Sequence, residues 1–318
     1  MATLITGASG FAGGYLARAC AEDGEEVIGA SRSGSVPVEG AAGFPIDLRD
    51  GEAVRRMLRE LQPGILYHLA ALSSVGRSWE DPATVINSNV GAAVNLLEAL
   101  RTEAPRARVI WVSSCEVYGA AAEMPIREGA PLRPANPYAV SKTSGDLLAE
   151  VYADAHGLNL VRARPFNHAG PGQLPIFIVS SLARQAADGV VRGDHEIEIV
   201  TGSPDTRRDF TDVRDVVRAY RLLARSEAAG VYNVSSGRSV SPRDHVELLA
   251  ELVAPASVRH VVDPGLVRGH EVAELRGAND RLVAETGWQP EIPLRETMRD
   301  TLQWWERELA GESHDDGQ

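Results

Sequence analysis

Short apolar runs alternate with stretches of helical periodicity through the first half of the chain. Leu4-Ile5-Thr6 is apolar and β-branched, fit for a buried strand, and Tyr15-Leu16-Ala17-Arg18-Ala19-Cys20-Ala21 reads as a helix stopped near Gly24. Residues 26–30 read as a second strand and Pro45-Ile46-Asp47-Leu48 as a strand end. Ala53, Val54, Met57, Leu58 and Leu61 then fall on one face of a helix. Residues 65–71 form another strand signal, 87–100 a long helix, and 108–112 the next strand. Buried strands alternating with helices predict a parallel, doubly wound sheet. In the second half, Val231-Tyr232-Asn233-Val234 reads as a strand, and helices over 243–253 and 293–308 complete a smaller domain.

Gly7-Ala8-Ser9-Gly10-Phe11-Ala12-Gly13 lies between the first strand and its helix. That context turns a glycine pattern into a dinucleotide site: the glycines permit a tight turn and close backbone approach to a pyrophosphate, and the helix start supplies N–H groups. A plain packing turn is the alternative. The end of the second strand selects the nucleotide. An NAD site usually carries Asp or Glu there. Ser31-Arg32-Ser33 has no carboxylate, and Arg32 can pair with a 2′-phosphate, so NADP(H) is expected. If Arg32 is a solvated loop cation, NAD(H) is the alternative. Asp47, beside Leu48, can receive the adenine amino group, and the small residues ending at Ala70-Ala71, after Leu69, leave room for ribose and pyrophosphate. His68, lone in an apolar strand, reads as structural.

Pro137-Tyr138-Ala139-Val140-Ser141-Lys142 opens a helix that Asn136 can cap. Residues four apart share a helix face, so Tyr138 and Lys142 project together. An ammonium beside a phenol favours phenolate and lowers its pKa, giving a group able to move a proton at a carbonyl or hydroxyl. A surface Tyr and a surface Lys are the alternative. The strand at 108–112 runs into Ser113-Ser114-Cys115-Glu116, and ligands gather at the carboxyl ends of parallel strands. There Ser114 can donate to a substrate oxygen and Glu116 can act as a base; a turn serine and a solvated carboxylate are the alternatives. Residues 165–173 are rich in turn formers, where a substrate could be clamped. Arg207-Arg208 concentrates cations suited to a diphosphate, with pairing to Asp209, Asp212 and Asp215 as the alternative.

The totals narrow this further. The chain has 318 residues, a net charge of −12 and a pI near 5.2, which argues against nucleic acid. Two cysteines, Cys20 and Cys115, make neither a disulfide framework nor a metal cluster. No signal peptide or membrane-length apolar run is present, so a cytoplasmic, reducing setting is expected.

The motifs in order are Thr6-Gly7-x-x-Gly10-x-x-Gly13, His68-Leu69-Ala70-Ala71, Asn89-Val90-Gly91, Ser114 four residues before Tyr118-Gly119, Tyr138-x-x-x-Lys142 and Arg164-Pro165-Phe166-Asn167. Together they make the chain resemble the extended short-chain dehydrogenases/reductases, the nucleotide-sugar epimerases, dehydratases and reductases. The resemblance spans all but the tail after about Leu309. It implies a Rossmann-type domain over 1–165 with a returning segment near 208–235, a smaller C-terminal α/β substrate domain over 166–309, and a disordered tail at 310–318. It implies Gly7, Ser9, Gly10, Phe11, Ala12, Gly13, Ser31, Arg32, Asp47, Leu48, Leu69, Ala70, Ala71, Asn89, Tyr138, Lys142 and Pro165 around the cofactor. Tyr138 would be the acid/base; Lys142 would hold the nicotinamide ribose and lower the Tyr138 pKa. Ser114 would bind the reacting sugar oxygen, with Ser74, Asn167, Arg208 and Arg268 also on the substrate, the two arginines at its diphosphate. A homodimer packed through the helices after Asn89 and Tyr138 is implied, with no metal.

Within the family, Leu72-Ser73-Ser74-Val75-Gly76-x-Ser78-Trp79, the stretch from Ala163 to Gln173, and Arg207-Arg208-Asp209-Phe210-Thr211-Asp212 are similar to GDP-4-dehydro-6-deoxy-D-mannose reductases. That likeness implies NAD(P)H-dependent reduction at C4 of a GDP-linked keto sugar to GDP-D-rhamnose. A GDP-mannose 4,6-dehydratase with Glu116 as the C5 base is the rival, and a nucleotide-sugar 4-epimerase a third reading. A non-catalytic cofactor sensor does not need the intact Ser114, Tyr138 and Lys142.

Overall fold

The computed structural model describes residues 2–267 and 272–315. In chain order the first part runs β1 (Thr3–Thr6), α1 (Phe11–Glu22), β2 (Val27–Ser31), β3 (Ala42–Pro45), α2 (Gly51–Leu61), β4 (Ile65–His68), α3 (Val75–Glu80), α4 (Pro82–Glu103), β5 (Arg108–Val112), α5 (Pro137–His156) and β6 (Leu160–Pro165). The second part runs β7 (Asn167–Ala169), α6 (Ile178–Arg192), β8 (Glu196–Thr201), β9 (Arg207–Asp212), α7 (Val213–Arg225), β10 (Gly230–Val234), β11 (Ser239–Val240), α8 (Pro242–Leu252), β12 (Ser257–Val262), β13 (Glu274–Leu275), α9 (Asp280–Thr286) and α10 (Leu294–Asp315).

Seven strands form one parallel sheet in the order β10-β6-β5-β4-β1-β2-β3. The chain winds outward in both directions from the β1–β4 boundary, and ligands collect at such a switch point, beyond the carboxyl ends of the strands. One face of the sheet packs Leu16, Tyr67, Val217, Tyr220 and Trp288; the other packs Met57, Leu96, Leu97, Leu100 and Trp111. The doubly wound α/β architecture expected from the alternation is therefore present. The smaller part carries β7, β9, β11 and β13 in one sheet and β8 with β12 in another, over a core of Leu182, Ile199, Leu249, Met298 and Leu302.

Local chemistry sets the helix that matters most. Asn136 Oδ1 accepts from Ala139 N at 2.8 Å, Pro137 occupies the first turn, and α5 ends at Gly157 with φ 65°. Along its inner face Tyr138, Lys142 and Asp146 are all buried. Asp146 takes two bonds from Arg164, at 2.8 and 2.9 Å, and one from Arg162 at 2.9 Å. These side chains are 0–6% exposed. Removing one partner of such a buried group costs about 3–5 kcal/mol.

Several elements depart from the sequence reading. Residues 207–212, read only as a concentration of cations, are strand β9, and β7 lies in the stretch read as a loop. Strands β8 and β12 and helix α7 were not foreseen. In the returning segment, α7 and β10 join the large sheet's core, whereas β9 belongs to the small one. Helix α10 continues to Asp315, through much of the stretch from 310 on that was expected to be disordered. No described helix is long and apolar enough to cross a membrane.

His68, at the end of β4, is structural, as its apolar context suggested. Its Nδ1 lies 2.8 Å from Thr6 Oγ1, and its ring lies 4.3 Å from that of Trp111. Burial, followed by the Lys142 charge, pushes its pKa down to about 3. The unfolded chain protonates near 6.5 while the folded one does not, so stability is full above that value and falls as pH drops toward 3. Between pH 8 and pH 5 the loss from this residue is about 2 kcal/mol. Urea titrations should find that loss in the parent and a flatter profile in His68→Gln; equal slopes would contradict a neutral buried imidazole.

Candidate active site

A cleft of about 1810 Å³ opens at the carboxyl ends of the large sheet and is walled by both parts of the chain. Its floor begins at the glycine loop. Gly7 has φ +77°, and a Cβ there would meet Ala70 N at 2.8 Å, so β1 and β4 end in near contact. A Cβ on Gly13 would lie 2.1 Å from Gly7 O. Helix α1 starts without a side-chain cap and without an acidic residue in its first turn. Its first N–H groups and dipole thus remain available to an anion. This backbone fits a dinucleotide pyrophosphate.

At the end of β2, Ser31 is buried and Arg32 is exposed in the cleft wall. Asp47 also lines the wall, but Arg49 holds both its oxygens, with Nε at 3.0 Å from each. The Arg49 hydrogen bonds draw the Asp47 pKa down to about 2. The carboxylate is therefore spoken for by Arg49, which the sequence reading did not foresee. Leu48, Leu69, Ala70 and Ala71 complete this side. Asn89 lines the cleft as well, and its amide is engaged: Oδ1 accepts from Leu72 N at 2.9 Å, while Nδ2 donates to Leu72 O and Ser141 Oγ. Its amide is committed to joining the loop after β4 to α5. It thereby shapes the cleft wall.

The chemical centre lies where β5 meets α5. Ser114 caps a 3₁₀ turn, Cys115–Tyr118, by accepting from Glu116 N at 3.2 Å. Ser114, Tyr138 and Lys142 are each 8–9% exposed and line the cleft with Glu116. Lys142 Nζ donates to Val112 O at 2.6 Å. Burial lowers the Lys142 pKa to about 8, against the pull of Asp146. Tyr138 departs from expectation. Its pKa is raised: burial dominates, Ser114 pulls it back as a hydrogen-bond partner, and the Glu116 charge raises it further. The expected lowering by Lys142 is absent: that ammonium donates to the Val112 carbonyl, and the Glu116 charge acts on the phenol in the opposite sense.

Asn167 and Arg208 form the opposite wall with Pro165. Arg208 Nη1 donates to the carbonyls of Arg207 and Val272, at 2.9 and 2.7 Å. Arg207 instead turns to Ser239 and Asp244. The suggested acidic partners of the arginine pair are engaged elsewhere: Asp209 with backbone N–H groups of Ser236, Gly237 and Gly277, Asp212 with Arg214, and Asp215 with Arg218. Ser74 lines the cleft while its hydroxyl caps α3 through Arg77 N at 3.3 Å. Arg268 lies outside the described residues.

Two contacts went unread in the sequence. His168 stacks on Phe11 with ring centroids 6.1 Å apart, and Tyr15 donates to Pro171 O at 2.8 Å. They tie the first helix of the dinucleotide fold to the loop of the smaller part. The aromatic pair Phe11 and Tyr15, four apart at a helix start, was the available signal.

The family model for GDP-mannose 4,6 dehydratase matches residues 4–301. A GDP-6-deoxy-D-mannose reductase from Pseudomonas aeruginosa is 36% identical over 313 residues, covering 97% of this chain and 98% of that protein. The structure of RMD from Pseudomonas aeruginosa complexed with NADPH superposes with a TM-score of 0.83 at 34% identity, over 97% of this chain and 100% of that one. A UDP-glucose 4-epimerase from Thermotoga maritima with UDP-glucose gives 0.87 at 27% identity, with the same coverage. The chain is an enzyme of the extended short-chain dehydrogenase/reductase class and belongs to the GDP-mannose 4,6-dehydratase family within it.

Proposed function

We propose that the enzyme reduces the C4 keto group of GDP-4-dehydro-6-deoxy-D-mannose with NADPH, giving GDP-D-rhamnose, and that Tyr138 donates the proton. The observation that carries this reading is the convergence of the glycine loop, Ser114, Tyr138 and Lys142 in one cleft. There a phenol can give its proton to a carbonyl oxygen as the hydride arrives at carbon. The full-length likeness to a GDP-6-deoxy-D-mannose reductase supports the same direction.

NADPH supplies the hydride when bound. The glycine loop and the start of α1 bind its pyrophosphate, and Arg32 favours a 2′-phosphate. Ser114 and Tyr138 both donate to the sugar C4 oxygen, which polarises the carbonyl and aligns it. Lys142 holds the ribose beside them. Arg208 takes the GDP diphosphate and Asn167 the adjoining sugar.

A second reading has its own observation. Glu116 lines the cleft next to Ser114, where a carboxylate could remove the C5 proton in a GDP-mannose 4,6-dehydratase. A 4-epimerase is a third reading. The outward faces of α4 and α5 leave Val94, Val140, Leu147 and Val151 exposed by 37–58%, which supports a homodimer packed through these helices. Sedimentation should give a dimer; a monomer at micromolar concentration would contradict that arrangement.

Purified enzyme given GDP-4-keto-6-deoxymannose and NADPH should consume the reduced cofactor, followed by its absorbance. Given GDP-mannose alone it should form no keto product; turnover only in that second mixture overturns the reductase reading. Tyr138→Phe should lower kcat by about 100-fold or more, as loss of a general acid does. Arg32→Ala should weaken NADPH by roughly 10–100-fold, the range for one charged hydrogen bond, and leave NADH nearly unchanged. Equal effects on both cofactors would remove Arg32 as the phosphate ligand.

A further inference from the structure

Asn136 sits at the start of α5, 9% exposed and in the cleft wall, and its amide has two separate uses. Its oxygen accepts from Ala139 N at 2.8 Å and caps the helix that carries Tyr138 and Lys142. Its nitrogen donates to Glu116 Oε2 at 3.0 Å. Ser, Thr and Asp cap a helix as well as Asn does. None of them can cap and at the same time offer an amide N–H to a carboxylate. The choice of Asn is thus unexplained by capping alone and explained by the second bond.

We propose that Asn136 is a positioning residue that fixes the Glu116 carboxylate against the start of α5, so that its negative charge faces the Tyr138 phenol. The enzymatic part of this inference rests on the reductase reading above. The amide holds Glu116 as an acceptor, and the charge held there favours the proton-donating form of Tyr138. The other titratable groups around the pair are Cys115 on the same turn, Lys142 one turn along α5, Tyr220 from α7, and Arg208 and Asp209 from β9 beyond Cys115. All of them are common to the variants below and cancel in the comparison.

The test is a cycle of Asn136→Asp, Glu116→Gln and the double variant. Asn136→Asp keeps a good cap but sets two carboxylates within hydrogen-bond reach. One of them then has a folded pKa above its unfolded value near 4, so its stabilising proton is present at low pH and lost as pH rises through the raised value. In the free protein the thermal midpoint of Asn136→Asp should fall further below the parent at pH 8 than at pH 5. Adding Glu116→Gln should remove that pH dependence, because Gln can donate where Asn did. In turnover, the alkaline limb of kcat/KM should move up by about one pH unit in Asn136→Asp and down by about one in Glu116→Gln, and return near the parent in the double variant. A midpoint deficit of Asn136→Asp that is equal at both pH values and indifferent to residue 116 would remove the contact. A coupled midpoint with an alkaline limb that stays at the parent's pH would leave the contact a structural one without effect on Tyr138 and overturn the proposal. If the keto sugar is not turned over, the reductase reading fails by itself; the midpoint cycle still decides the contact, and the limb is then read with whichever sugar nucleotide reacts.

Discussion

The structure depends on the polar edge of one helix being buried. Tyr138, Lys142 and Asp146 recur every four residues along α5, and each is buried against the ends of β5 and β6. A buried charge without a partner is strongly unfavourable. Lys142 is met by the Val112 carbonyl, and Asp146 by two arginines on β6. These partners sit at fixed heights along the strands, so α5 has little freedom to slide or rotate. The same restraint that holds the helix sets the phenol of Tyr138 beside Ser114.

The cleft is a joint product of two sheets. The glycine loop brings β1 so close to β4 that no side chain fits between them at Gly7. The smaller part supplies the facing wall through Asn167 and Arg208. Phe11 with His168, and Tyr15 with Pro171, join the two walls directly. A ligand spanning the cleft would meet groups whose mutual positions the fold has already fixed, which lowers the ordering cost of binding.

Much of this was legible in the chain. Alternating apolar runs and helical periodicities gave the doubly wound sheet, and the glycine loop, Ser114, Tyr138 and Lys142 converge in one cleft. The smaller part was less legible for a physical reason. Strand β9 reads Arg-Arg-Asp-Phe-Thr-Asp, and its polarity is satisfied by backbone N–H groups and distant side chains that no local pattern shows. Strand β8, Glu-Ile-Glu-Ile, carries a clear period of two yet was passed over. Electrostatics were least legible. Helical spacing placed Lys142 near Tyr138, but only the fold reveals that the ammonium turns to Val112 and that the Glu116 charge acts on the phenol. Nor does the sequence show that the Asn89 amide ties the loop after β4 to α5.

Three reactions differ in where hydrogen goes, and that difference tests the central claim most directly. Enzyme, GDP-4-keto-6-deoxymannose and NADPH deuterated at the transferred position can be followed by NMR of the sugar. The account predicts one deuterium at C4 of the product, with one oxidised cofactor released per sugar. A sugar without deuterium at C4, with the cofactor still reduced, would contradict it.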